Sequence, residues 1–108
     1  MEKLNSKKKI AVFISGRGSN LKNLINYSKL KKSSFKVCLV ISNKSNAKGL
    51  EYAKINKIKQ YVFEKRLSLF EKKALNLIKK FNINIVCLAG FMRILTPLFL
   101  KKVKIPVI

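Results

Sequence analysis

The segment Ile10–Asn20 constrains the fold more than any other part of the sequence. It begins with a continuous apolar run, Ile10–Ser15, and continues as Gly16-Arg17-Gly18-Ser19-Asn20. A strand that is covered on both faces is apolar at successive positions. Apolar residues then recur at helical spacing, at Leu21, Leu24 and Ile25. We therefore predict a buried strand, a tight glycine-rich turn and a helix.

The rest of the chain alternates in the same way. Apolar runs predict further strands at Phe35–Ser42, Tyr61–Phe63 and Ile83–Ala89, with Ile105–Ile108 as the opening of a fifth. Helices are predicted near Ala47–Asn56, at Ser68–Phe81, and from Thr96-Pro97 to about Lys102. Alternating strands and helices form right-handed βαβ units. We expect an α/β fold, a Rossmann-like parallel sheet with helices on both faces.

The strongest helix prediction is Ser68–Phe81. Ser68 followed by Glu71 fits a capping box, in which the two side chains bond the first backbone N–H groups. Apolar residues form one stripe, made of Phe70, Ala74, Leu77, Ile78 and Phe81. Such a stripe is typical of a helix that packs on a core.

Length and composition limit the possible classes. A chain of 108 residues is one domain, which we divide into a basic N-terminal arm at 1–9 and a folded part at 10–108. It has two cysteines and no histidine, which excludes a disulfide framework and gives no sign of a metal site. We read neither a secretion signal nor a membrane span and expect a cytoplasmic protein.

The net charge of +21 raises the possibility of nucleic-acid binding. However, the basic residues are almost all lysines spread along the chain, with only three arginines, Arg17, Arg66 and Arg93. Proteins that read bases favour arginine and stack bases on aromatic side chains, and no such platform is visible. The charge favours a general attraction to anionic ligands over a specific nucleic-acid partner.

The turn Gly16–Asn20 resembles known phosphate loops without matching the two best known. No Gly-Lys-Ser/Thr follows it, and Leu21 occupies the third glycine position of the dinucleotide fingerprint. Glycines at a helix N-terminus nevertheless let backbone N–H groups approach an anion, with the helix dipole behind them. The alternative is a plain tight turn with Ser19 as the N-cap.

Three motifs occur in order and at matching spacing: ISGRGSNL at Ile14–Leu21, ISNKSNAKGLEYA at Ile41–Ala53, and VCLAGFMRILTP at Val86–Pro97. Together they closely resemble the N-terminal half of the phosphoribosylglycinamide formyltransferase family, folate-dependent enzymes of purine biosynthesis. The resemblance implies that 10–108 is the N-terminal part of a formyltransferase domain.

The resemblance also implies site residues. Gly18, Ser19 and Asn20 match positions that hold the 5′-phosphate of the ribonucleotide. Positions matching the folate pocket are Met92, Arg93, Ile94 and Leu95, and Arg66 is close to a folate-contacting arginine, with the local spacing shifted by about one residue. The alternative for Met92, Ile94 and Leu95 is ordinary packing.

One departure concerns catalysis. In the family an Asn-x-His-Pro-Ser motif follows the fifth strand and a catalytic Asp lies further on, whereas this chain contains no His. We therefore assign no catalytic residue. We expect a chain truncated after about the fifth strand and inactive alone, whose family uses 10-formyltetrahydrofolate as cosubstrate, 5′-phosphoribosylglycinamide as substrate and no metal.

Three other possibilities remain open at this point. The chain could be a phosphate-binding module without catalysis, or one half of a split enzyme that joins a complementary C-terminal chain. A nucleic-acid binder driven by charge alone is the third possibility.

Overall fold

The computed structural model describes residues 7–108, in which four strands and four helices alternate along the chain. The elements in chain order are β1 (Lys8–Ile14), α1 (Ser19–Ser28), β2 (Phe35–Ser42), α2 (Gly49–Ile55), β3 (Lys59–Val62), α3 (Leu67–Lys80), β4 (Ile85–Leu88) and α4 (Pro97–Val103). This alternation confirms the predicted α/β class. Within the described range no helix is long and apolar enough to cross a membrane.

All four strands are parallel, in the order β3-β2-β1-β4. β1 is therefore central and pairs with β2 on one side and with β4 on the other. The chain moves outward from β1 to β3 and then crosses to β4, so the strand order reverses between β1 and β4. In open α/β sheets, ligands bind outside the carboxyl ends of the strands at such a switch point.

The apolar run of β1 is explained by helices on both faces of the sheet. Ala11 and Phe13 join a core cluster with α3 and α4, whereas Val12 and Ile14 join a second cluster with α1 and α2. Side chains alternate between the faces of a strand. Because both faces are covered, the four consecutive residues Ala11–Ile14 are all fully buried.

The N-terminal boundary differs from the predicted one. β1 begins at Lys8, so Lys8 and Lys9 belong to the sheet rather than to an arm at 1–9. Lys7 also contacts the fold, because its Nζ donates to the carbonyl oxygens of Ser28 at 3.0 Å and Leu30 at 2.8 Å. Residues 1–6 of the predicted arm lie outside the described residues.

The last predicted strand is only partly formed. Val107 makes an isolated parallel bridge to Val86 on the outer side of β4. Two bonds of 2.9 Å support it: Ile108 N–H donates to Val86 O, and Val86 N–H donates to Pro106 O. Two other strands also differ from their predicted bounds: β3 starts at Lys59 rather than Tyr61, and β4 covers Ile85–Leu88 rather than Ile83–Ala89.

The predicted capping box of α3 is wrong. α3 begins at Leu67 after Arg66, and across residues 7–108 no side chain caps its N-terminus. Glu71 instead binds Thr96: its two carboxylate oxygens accept from Thr96 N–H at 2.7 Å and Thr96 Oγ1–H at 2.8 Å. The predicted stripe is confirmed in its buried members Phe70, Ala74, Leu77 and Ile78, with Phe81 half-buried.

Candidate functional site

The turn Gly16–Asn20 is fixed by contact between two backbones. Gly18 has a φ of 80°, and a Cβ placed on it would lie 2.3 Å from Gly49 Cα. Gly49 N–H also donates to Gly16 O at 3.2 Å. A left-handed φ and so close an approach both require glycine. The N-terminus of α2 therefore packs directly against the turn that opens α1.

The start of α1 has the features of an anion site. Gly18 is the N-cap, and in the part of the chain that the structure describes no side chain caps this end and no acidic residue lies in the first turn. Ser19 is thus the first helical residue, and the alternative in which its hydroxyl caps the helix is wrong. The first N–H groups of a helix have no partner within it and carry its positive dipole end.

The side chains around this turn add positive charge. Arg17, Ser19 and Asn20 are exposed, and Gly18 is half-buried. Lys22, one turn into α1, places its Nζ 5.5 Å from the centre of the Tyr52 ring, a cation–π contact. This contact holds the Tyr52 ring against α1, beside the turn.

The loop that follows β4 is the second predicted segment. Gly90 opens it with a φ of 70°. Met92 and Ile94 are 79% and 90% exposed, Arg93 is half-buried, and Leu95 is buried in the core cluster with Phe13 and Phe70. The residues predicted to bind folate therefore lie in different environments. Leu95 packs in the core, which was the alternative given for it, whereas Met92 and Ile94 lie on the surface.

A pocket of about 330 Å³ lies where the loops after β2, β3 and β4 meet. It is lined by Asn43, Lys44, Glu64, Lys65, Met92 and Arg93. Among the residues predicted to bind folate, only Met92 and Arg93 line it. Arg66 does not line the pocket but follows the lining residue Lys65 in the sequence. Its side chain is exposed, and its Nε donates to Ser68 Oγ at 3.2 Å.

The one carboxylate of this pocket is already engaged. Ser45 donates its backbone N–H and its hydroxyl to Glu64 Oε2, at 2.7 and 3.0 Å. These two bonds, with the positive charge of Lys44, lower the pKa of Glu64 below its ordinary value. Three cationic side chains, those of Lys44, Lys65 and Arg93, line the same pocket.

Two buried polar residues join the turn to the loop after β4, and the sequence analysis missed both. Ser15 Oγ donates to Asn43 Oδ1 at 2.6 Å and accepts from Met92 N–H at 2.8 Å. Ser15 and Asn43 are 8% and 6% exposed. The sequence did carry one signal for them: each is a polar residue directly after a buried strand, Ser15 after β1 and Asn43 after β2.

Within residues 7–108 no group of three or more His, Cys, Asp or Glu side chains is placed to hold a metal ion. The groups available to a ligand at the carboxyl ends of the strands are therefore backbone N–H groups, hydroxyls, amides and cations. Such a set binds phosphate and carboxylate groups.

Comparison with known proteins shows the family of the chain. A family model described as formyl transferase matches residues 8–108. The trifunctional purine biosynthetic protein adenosine-3 of Homo sapiens is 41% identical over 100 residues, 89% of this chain and 10% of that protein. The phosphoribosylglycinamide formyltransferase of Haemophilus influenzae is 38% identical over 99 residues, 88% of this chain and 47% of that enzyme.

Solved structures give the same result. The crystal structure of phosphoribosylglycinamide formyltransferase from Brucella melitensis matches with a TM-score of 0.88 and 30% identity, covering 94% of this chain and 55% of that one. The enzyme from Anaplasma phagocytophilum matches with a TM-score of 0.85 and 33% identity, covering 94% and 48%. The chain spans about half the length of these single-function relatives.

The fold is a doubly wound α/β domain with a glycine-rich turn beside the point where the strand order reverses. The chain belongs to the formyl transferase family. The similarity to phosphoribosylglycinamide formyltransferases that the three motifs predicted is confirmed.

Proposed function

We propose that the chain provides the phosphate-binding turn and part of the folate-binding edge of a phosphoribosylglycinamide formyltransferase. Such an enzyme transfers the formyl group of 10-formyltetrahydrofolate to the amine of 5′-phosphoribosylglycinamide. The turn Gly16–Asn20 carries the proposal, because its glycine N-cap leaves the first N–H groups of α1 free of side-chain partners among the described residues. In the cell we place this enzyme in the cytoplasm.

The proposed phosphate ligands are Gly18, Ser19 and Asn20. Their backbone N–H groups lie at the positive end of α1, and the Ser19 and Asn20 side chains add donors. The exposed guanidinium of Arg17 supplies long-range attraction. A dianionic 5′-phosphate suits this arrangement better than a carboxylate, since it offers more oxygens to several N–H groups at once.

The proposed folate contacts are Arg66 and Met92–Leu95. A pocket near 330 Å³ is at the small end of the range for ligand sites and fits part of a folate. Met92 offers an apolar wall for a flat ring, and Arg93, Lys44 and Lys65 offer cations for carboxylates. Leu95 would contribute indirectly, because its burial in the core anchors the end of the loop. The cosubstrate supplies the formyl group.

Binding and catalysis are separate in this proposal. Attack of an amine on a formyl group needs groups that stabilise a tetrahedral oxyanion and move protons. The chain has no His, and the carboxylates of Glu64 and Glu71 are bonded to Ser45 and Thr96. We therefore propose that residues 1–108 bind substrate, and that the groups that turn it over, carried on an Asn-x-His-Pro-Ser segment, come from outside these residues.

Titration of the chain with ribose 5-phosphate, followed by amide NMR, tests the binding site. We expect saturable shifts at Ser19–Leu21, with ribose lacking the phosphate as the matched control. A charge of +21 attracts any anion, so the location of the shifts is decisive. Shifts spread over surface lysines with no saturating site contradict the proposal.

An assay of the chain with both substrates tests the second part. We expect no formyl transfer above background by the chain alone, and transfer after a complementary chain is added. Turnover by the chain alone shows that the catalytic assignment is wrong while leaving the binding site intact.

A further inference from the structure

Ser15 stands at the point where three strand ends meet. It directly follows β1 and precedes the turn Gly16–Asn20. Its hydroxyl donates to Asn43 Oδ1, just after β2, and accepts from Met92 N–H, in the loop after β4. These partners are 28 and 77 residues away along the chain. One buried hydroxyl therefore links the ends of β1, β2 and β4.

The bond between Ser15 and Met92 connects the loop after β4 to β1 beyond the last backbone hydrogen bond of the sheet. The last backbone bond between the β1 and β4 regions runs from Ala89 N–H to Phe13 O, at 3.0 Å. Gly90 then turns the chain with a φ of 70°. Within residues 7–108, Met92 N–H to Ser15 is the one hydrogen bond from segment 90–95 to the rest of the fold. Phe91 adds packing, its ring centre 5.5 Å from that of Phe13.

We propose that Ser15 is a positioning residue that fixes the start of the 90–95 loop against the turn Gly16–Asn20. This bond fixes the distance between the loop proposed to bind folate and the turn proposed to bind phosphate. The assignment of those two ligands rests on the proposed function, whereas the bond itself does not. A hydroxyl suits the task because it donates and accepts at once. Asn43 orients it, since the donated proton leaves a lone pair for Met92.

Burial makes this link sensitive to substitution. Removing the hydroxyl leaves Asn43 Oδ1 and Met92 N–H without their partner, and Asn43 is nearly inaccessible to water. An unsatisfied buried group is costly, whereas the volume lost in Ser15→Ala is a single oxygen. The change therefore removes a bond with little effect on packing.

Amide hydrogen exchange on the full chain measures the link directly. In Ser15→Ala we expect the exchange rate of the Met92 amide to rise about tenfold, as for one lost hydrogen bond. The amide of Leu39, in the core of β2, reports global opening and should change less. Ser15→Thr keeps the hydroxyl and should restore slow exchange at Met92.

Ser33→Ala is the matched control. Ser33 is also a buried serine, 5% exposed, but its hydroxyl bonds the backbone of Phe35, far along the chain from the 90–95 loop. We expect this variant to leave Met92 exchange unchanged. If Ser15→Ala does not fold, Ser15→Cys is used instead, since a thiol is a weaker partner and should give part of the rise.

Three results overturn the inference: unchanged Met92 exchange in Ser15→Ala or Ser15→Cys, equal increases at Met92 and Leu39, or the same rise in Ser33→Ala. A parallel titration with ribose 5-phosphate separates this from the proposed function. If ribose 5-phosphate shifts the Ser19 amide signal but Ser15→Ala leaves Met92 exchange unchanged, the role of Ser15 is contradicted and the phosphate site is not. Absence of shifts at Ser19 removes the phosphate site, while the exchange data still decide the role of Ser15.

Discussion

The turn Gly16–Asn20 is held by its backbone, whereas the loop from Gly90 to Thr96 is held by side chains from other elements. At the turn, the backbone of Gly18 rests on that of Gly49. At the loop, Ser15 binds Met92 near one end and Glu71 binds Thr96 at the other. The turn is therefore sensitive to any added atom, and the loop to the loss of specific polar groups.

Replacing Gly18 should have the largest effect. Gly18→Val must adopt a left-handed φ and place a Cβ against Gly49, which together cost about 2–5 kcal/mol of unfolding free energy. Urea denaturation measures the loss. Gly16→Ala is the control, because a Cβ there meets no atom within 4 Å. Equal losses in the two variants contradict the backbone contact.

Removing the carboxylate of Glu71 should come next. Glu71 is 7% exposed and accepts two bonds from Thr96, so Glu71→Ala should destabilise the fold by about 2–3 kcal/mol. Glu51→Ala, on the exposed surface of α2, should stay within about 0.5 kcal/mol. A double-mutant cycle with Thr96→Val isolates the pair, and a coupling near zero indicates that the two residues act independently.

Gly90 tests the difference between the two loops directly. It has a positive φ like Gly18, but a Cβ there meets nothing within 4 Å. Gly90→Ala should therefore cost only the left-handed backbone term, about 1–2 kcal/mol, in the same urea experiment. A loss as large as that of Gly18→Val means that backbone conformation, rather than contact with Gly49, dominates at the turn.

The smallest effect concerns Glu64 and pH. Its pKa is lowered in the folded chain, chiefly by the backbone and hydroxyl of Ser45. A lowered pKa contributes stability above the unfolded-state value of 4.5, and this contribution is lost as the pH falls through the folded-state pKa. Glu64→Gln should reduce the slope of thermal stability against pH in that range. An unchanged slope contradicts the bonds to Ser45.

Local patterns were sufficient to predict the framework. The apolar runs located β1 and β2, and Thr96-Pro97 correctly marked the start of α4, where Phe99 N–H donates to Thr96 Oγ1 at 3.1 Å. These features depend on neighbours within a few residues, so the sequence contains them. The glycine turn was predicted for the same reason, while its ligand and the folate residues stay predictions.

The remaining features depend on which elements lie side by side. Ser68 and Glu71 have the spacing of a capping box, but the fold brings Thr96 beside α3, and that partner takes the carboxylate. The Ser15 link joins residues 77 positions apart. Leu95 fits both a ligand wall and a core position, and only the packing of α3 and α4 decides between them. No local pattern records such contacts.

The central position of β1 also affects the order in which the chain is made. Lys9 N–H bonds Asn84 Oδ1 across 75 residues, next to the pairing of β1 with β4. A ribosome produces β1 and β2 early, so this pair can form while β4 is still being synthesised. Until β4 emerges, one edge of β1 is open to other strands. Sheet completion then awaits a distant contact, which makes folding slow compared with a helical domain of this size.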